Sequence, residues 1–230
     1  MPVSIILISF LFMGIGLLVQ VRLKSKFAEY SKTPTSSGLS GKEVAEKMLH
    51  DNRIFDVSVV SVSGFLSDHY DPSKKTVNLS PDVYEGRNIS AAAVAAHECG
   101  HAVQHATGYS MLSLRSTLVP IVQVSTNFSQ WVILIGLGLF SFGGGNSTIL
   151  LIGIILFAVS TLFSVITLPV EFDASSRALK WLDASHLTLP QEHEKAKDAL
   201  KWAALTYVVA ALASITMLVQ YIFIYQGRRD

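Results

Sequence analysis

Charge is scarce in this chain: Asp, Glu, Lys and Arg make up 15% of its 230 residues, whereas half are hydrophobic. Long stretches carry no charged side chain at all, which places the chain among membrane proteins before any motif is read. The charges that remain nearly cancel, and a net +1 gives no reason to expect a nucleic-acid partner or a polyanionic substrate. Cysteine is almost absent. Cys99 stands alone, so no internal disulfide can form, and the chain fits a reducing space. Acids are missing too over one long interval, for neither Asp nor Glu occurs between His101 and Val170.

What the chain has in abundance is apolar runs. Four are long enough to cross a bilayer as helices, which takes about 20 residues: Val3 to Val21, about Leu118 to Phe142, about Thr148 to Val170, and about Ala203 to Tyr225. Gln123, Asn127 and Gln130 make the first half of the second run rather polar, and Pro120 is expected to mark its start. No basic residue precedes the first run and no small-x-small cleavage site follows it, so a signal anchor fits better than a cleaved signal peptide. Arg22, Lys24, Lys26 and Lys32 follow this run, which by the positive-inside rule puts the N-terminus outside and the following segment in the cytoplasm. Gly143-Gly144-Gly145-Asn146-Ser147 then forms an uncharged outer hairpin, and the lysine-rich segment 171–202 lies inside. Arg228 and Arg229, at the outer C-terminus, are discordant with this scheme.

The remaining residues read as a small α+β domain. Ser40 or Gly41 starts a helix with Val44, Ala45, Met48 and Leu49 on one face. A strand is expected within Phe55 to Val62, turns at Gly64 and Asp71-Pro72-Ser73, and a second strand at Thr76 to Leu79. An Ala-rich helix follows from about Ser90, capped by Asn88 or Ser90.

That helix carries His97-Glu98-Cys99-Gly100-His101. Residues four apart share one helix face, so two imidazoles can reach one zinc ion, and Glu98 is placed to take a proton from water that the metal has acidified. With seven histidines in the chain, such a pattern arises by chance in roughly one sequence in a hundred. A third ligand is still needed. His105 lies roughly 12 Å beyond His97 at about 1.5 Å rise per residue. The metzincin arrangement needs Gly where Gln104 stands and His where Thr107 stands. The next acids after the acid-free interval are Glu171 and Asp173. Because spans two and three form a hairpin, Glu171 returns to the face of the bilayer that His101 left and is expected to complete a His97–His101–Glu171 site. Cys99 faces away from that site and reads as a small buried residue; His69 reads as exposed; Arg177 is a candidate for the oxyanion or for lipid headgroups.

The stretch Ser90 to His105 with Tyr109, together with Glu171-Phe172-Asp173-Ala174, resembles the YugP-type membrane zinc metallopeptidases of bacteria. The likeness extends to Ser67-Asp68-His69-Tyr70-Asp71-Pro72 and Thr76 to Tyr84. More distantly the chain is similar to HtpX-type and CAAX-prenyl-type gluzincins, which carry a Glu-aromatic-x-Ala-Asp segment. Here Glu171, Phe172 and Ala174 match, but Ser175 stands where that family has Asp. The resemblance implies a peptidase with Glu171 as ligand and names no substrate.

The expectation is therefore a mainly α membrane protein with about four transmembrane helices and a small α+β, zincin-like domain. Its parts are an anchor at 1–21, a cytoplasmic HExxH domain at 22–117, a transmembrane hairpin at 118–170, a third-ligand segment at 171–202, and a last span with tail at 203–230. The function expected is zinc-dependent cleavage of a peptide or membrane-protein substrate, with Glu98 as general base, from the inner side of a bacterial cytoplasmic membrane. An intramembrane site-2-type protease needs an Asn-Pro-Asp-Gly partner motif that the sequence lacks. An inactive scaffold or chaperone that kept the fold is the alternative reading. Nothing in the sequence sets an oligomeric state.

Overall fold

The computed structural model describes residues 3–64, 66–138 and 145–227. Phe142, Gly143, Gly144, Arg228 and Arg229, which figured in the expected spans and topology, lie outside them. The element order is α1 (Val3–Tyr30), α2 (Gly41–Asp51), β1 (Ser58–Ser61), β2 (His69–Asp71), β3 (Thr76–Leu79), α3 (Pro81–Tyr84), α4 (Ile89–Ala106), α5 (Ser110–Leu137), α6 (Ser147–Ala184) and α7 (Pro190–Gln226). Among the described residues the fold is mainly α with one small sheet, and four helices, α1, α5, α6 and α7, are long and apolar enough to cross a membrane. The chain divides into two compact units, one comprising Met1–Leu18, Leu114–Leu168 and Thr206–Asp230, the other Val19–Ser113 and Pro169–Leu205.

The second unit holds the α+β domain. Helix α2 begins where its capping chemistry says it should. The Ser40 Oγ accepts from the Glu43 N–H at 3.3 Å, and Glu43 Oε2 accepts from the Ser40 N–H at 2.7 Å, which satisfies two otherwise orphaned donors. Val44, Ala45, Met48 and Leu49 are all buried, as their spacing predicts. The sheet has the order β1-β3-β2, with β1 parallel and β2 antiparallel to β3. Strand β2 was expected only as chain between turns. Its three residues are too short for a period-two pattern to show. Asp68 secures its approach by accepting from the N–H and Oγ of Ser80 at 2.7 and 3.0 Å.

Helix α4 starts at Asn88, whose side chain accepts from the Ala91 N–H at 2.9 Å. Ala91 to Ala96 are all buried or nearly so, because α2, the sheet and α6 surround this helix. Small side chains keep it thin enough to be enclosed. The closest approach is at Gly100: a Cβ there would lie 2.5 Å from the Ala174 carbonyl oxygen and 3.1 Å from its Cα. Ala178 and Leu182 of α6 and Ala196, Ala199 and Leu200 of α7 join the same core. Trp181 packs against this core and donates its indole N–H to Asp51 at 3.1 Å.

In the first unit Ile5, Ile133, Leu150, Ile154 and Tyr221 form a core of their own. Gly136 and Gly153 let α5 and α6 touch backbone to backbone, since a Cβ on either would fall within 3 Å of Leu150 or Ile133 main-chain atoms, the usual device for close helix contact in lipid. One correction to the expected boundaries follows. Helix α5 begins at Ser110 and carries Pro120 inside it, so the proline does not mark a start; one missing backbone donor is tolerated in an otherwise intact helix. Helix α6 runs through Pro169 without a break to Ala184, so the third apolar run and the segment bearing Glu171 are one element.

Gly100→Ala tests the contact between α4 and α6. Helix propensity alone favours Ala over Gly by about 1 kcal/mol, yet the added methyl has no room against Ala174. The expected result is a lower midpoint in thermal unfolding followed by circular dichroism in detergent; an unchanged or raised midpoint would show that the two helices are not so close.

Candidate metal centre

Three polar side chains from two helices converge in the second unit. His97 and His101 lie one turn apart on α4, with ring centroids 4.9 Å apart and nearly perpendicular. Glu171 reaches them from α6. Its Oε2 lies 3.3 Å from His97 Nε2 and 3.6 Å from His101 Nε2. One ligand atom from each of the three lies within 4.8 Å of the others, and Glu171 is only 3% exposed. A carboxyl group buried this deeply stays ionised only beside a cationic partner.

The surrounding hydrogen bonds specify which imidazole nitrogen faces Glu171. Gln104, fully buried, donates its amide N–H groups to the Val170 carbonyl and to Asp173 Oδ2, both at 2.8 Å. Neither partner can donate, so the amide nitrogen must face them and the Gln104 oxygen must face His101. That oxygen lies 3.0 Å from His101 Nδ1, which therefore carries the proton and donates. The neutral ring then aims the Nε2 lone pair at Glu171 Oε2, and lone pair against carboxylate is repulsive unless a cation lies between them or the ring gains a second proton. His97 is arranged alike: its Nδ1 lies 3.1 Å from Ser175 Oγ, to which a protonated Nδ1 donates, leaving Nε2 for Glu171. Burial pushes the His101 pKa down. The hydrogen bond to Glu171, the charge of Glu98 and the bond to Gln104 outweigh it, and the pKa lies above its ordinary value.

Two imidazole nitrogens, each with its other nitrogen tied to a fixed partner, and one carboxylate oxygen are a donor set suited to zinc. Ser175, standing where the related segment has Asp, orients His97 with a hydroxyl. Asp173 serves the other histidine, through Gln104, and is itself held by Arg177 Nε at 2.6 Å. Arg177 also lies over the Tyr109 ring, 5.8 Å from its centroid. Glu98 is buried, at 8% exposure, close enough for its charge to act on His101. Cys99 faces away and is buried, its thiol 3.5 Å from the Ala45 carbonyl. His105 is outside the cluster, bonded through Nδ1 to the Tyr70 hydroxyl at 2.8 Å, and His69 is exposed. Gln104 is the residue that sequence reasoning passed over except to reject the metzincin pattern; its position three residues after His101, on the same helix face, was the available signal.

The model of a family described as "Putative neutral zinc metallopeptidase" matches residues 5–226. The chain is similar to "Putative membrane protease YugP" of Bacillus subtilis (strain 168), with 40% identity over 218 residues and 95% of each chain covered. No solved structure matches it. The match runs through all the membrane-length helices and through both helices that carry the buried His-His-Glu cluster, and the chain belongs to this family of neutral zinc metallopeptidases.

Proposed function

We propose that the chain is a multi-pass membrane zinc metalloendopeptidase in which His97 Nε2, His101 Nε2 and Glu171 hold the ion and Glu98 is the general base. The convergence of those three ligand atoms within 4.8 Å carries this reading. Bound there, zinc would supply Lewis acidity to the scissile carbonyl and to the attacking water. Glu98, next to His97 in sequence yet outside the ligand set, accepts a proton from the attacking water. It returns that proton to the amide nitrogen as the peptide C–N bond breaks, so that the products are a carboxylic acid and an amine. Gln104 keeps His101 in the tautomer whose Nε2 is free to ligate, Ser175 holds the His97 ring through Nδ1 so that its Nε2 faces Glu171, and Asp173 holds Gln104.

The substrate class is a peptide or membrane protein. The basic cluster after the first apolar run supports a site at the inner face of a bacterial cytoplasmic membrane. Helices α5 and α6 between them leave and return to one side, which is why a residue 70 positions beyond His101 by sequence number can stand beside it.

A single series of variants measures metal and chemistry separately. Glu98→Gln is expected to retain about one zinc per chain, while peptide cleavage falls at least 10²-fold, because the amide cannot take a proton. Glu171→Ala, His97→Ala and His101→Ala are expected to lose the ion, whereas Gln104→Leu weakens zinc affinity about 10- to 100-fold in competition with a chelator, and Asp173→Ala weakens it less than Glu171→Ala. Full zinc retention in the histidine variants, or undiminished cleavage by Glu98→Gln, contradicts the assignment.

Orientation is read by cysteine labelling in a Cys99→Ala background. A cysteine at Gly145 should react with an impermeant reagent on intact cells, and one at Ser36 only after permeabilisation. The reverse pattern would place the site outside.

A further inference from the structure

Helix α5 presents two different exposed faces. At 3.6 residues per turn, Ile121, Val124, Phe128 and Ile135 fall on one side, all apolar and exposed, as a surface in contact with acyl chains should be. Gln123, Asn127 and Gln130 fall on another, within about one sixth of the helix circumference, and all three are also exposed. The inward side carries the buried Ser125, Ser129 and Ile133. No hydrogen bond joins any of the three amides to the described residues, although Thr126, on the neighbouring strip, pairs with Ser160 at 3.0 Å.

The depth of the stripe follows from helix length. Helix α5 has 28 residues, and a span takes about 20. Any such span drawn within Ser110–Leu137 contains 118–129, so Gln123 and Asn127 are inside the hydrocarbon wherever the boundaries fall. An amide there without a partner is costly, because acyl chains offer neither donor nor acceptor. A side-chain amide both donates and accepts, so a row of three is complementary to an identical row turned about a two-fold axis. Amide hydrogen bonds between helices are among the contacts that drive association in lipid.

We propose that a second copy of this chain covers this face of α5, the two Gln123–Asn127–Gln130 stripes hydrogen-bonding across a two-fold axis. The homodimer rests on α5 being a membrane span, and it is independent of the metal site.

The test uses the full chain reconstituted in phosphatidylcholine vesicles. In a Cys99→Ala background, Asn127→Cys should form an intermolecular disulfide on mild oxidation, and Phe128→Cys, on the lipid side, should not. Single-molecule photobleaching of the labelled wild type should show two-step traces. The triple variant Gln123→Leu/Asn127→Leu/Gln130→Leu should shift to one-step traces, its dissociation constant raised about tenfold or more. Leucine raises both helix propensity and lipid solubility, so loss of the fold is not the expected route to monomers, and the cysteine pair reads the wild-type stripe without that variant. A monomeric wild type, a triple variant that pairs as tightly as wild type, or preferential cross-linking at position 128 would each overturn the dimer. Labelling at Gly145 reports separately whether α5 spans.

Discussion

The chemistry of this chain depends on the contact between Gly100 and the backbone of Ala174. Because residue 100 has no side chain, α6 lies against α4 with the Ala174 carbonyl oxygen only 2.5 Å from where a Cβ would be. Glu171 sits one turn before Ala174, and His97 and His101 flank Gly100 by three residues and one. The close approach therefore delivers a carboxylate to two imidazoles and delivers Ser175 to the far side of one of them. A larger residue at 100 would separate the carboxylate from the imidazoles as it separates the helices.

Around that contact the polar groups are arranged in series. Arg177 holds Asp173, Asp173 and the Val170 carbonyl fix the Gln104 amide, and the amide fixes the proton on His101. A buried glutamine with both ends committed is a rigid element, since turning the amide over would set its oxygen against two acceptors. The serine at 175 shows that the two histidines are oriented by different means. One has a hydroxyl directly; the other has a carboxylate acting through an amide.

Much of this was legible in the sequence, and the reasons differ by residue. The HExxH motif needs only its own helix, so spacing and the alanine run before it were sufficient. Glu171 was legible because the interval before it is empty of acids and contains an even number of apolar runs. The caps are local chemistry, and the sequence narrowed each to two residues, of which Ser40 and Asn88 are the ones used. Strand β2 was not legible: three residues cannot show a period, and its pairing with β3 is a tertiary fact. Pro120 misled. A proline looks like a boundary in a soluble protein, but in a long apolar helix the remaining hydrogen bonds hold the element together, as they also do around Pro169. Gln104 was hidden because a glutamine three residues after a histidine is ordinary until a second helix supplies the acceptors for its amide.

The central claim is the identity of the ion and its three ligands, and X-ray absorption at the zinc edge of the purified protein measures it directly. The account predicts a shell of nitrogen and oxygen at about 2.0–2.2 Å with the outer-shell scattering of two imidazoles and no sulfur at about 2.3 Å. A sulfur ligand, fewer than two imidazoles, or protein that takes up no zinc would contradict it.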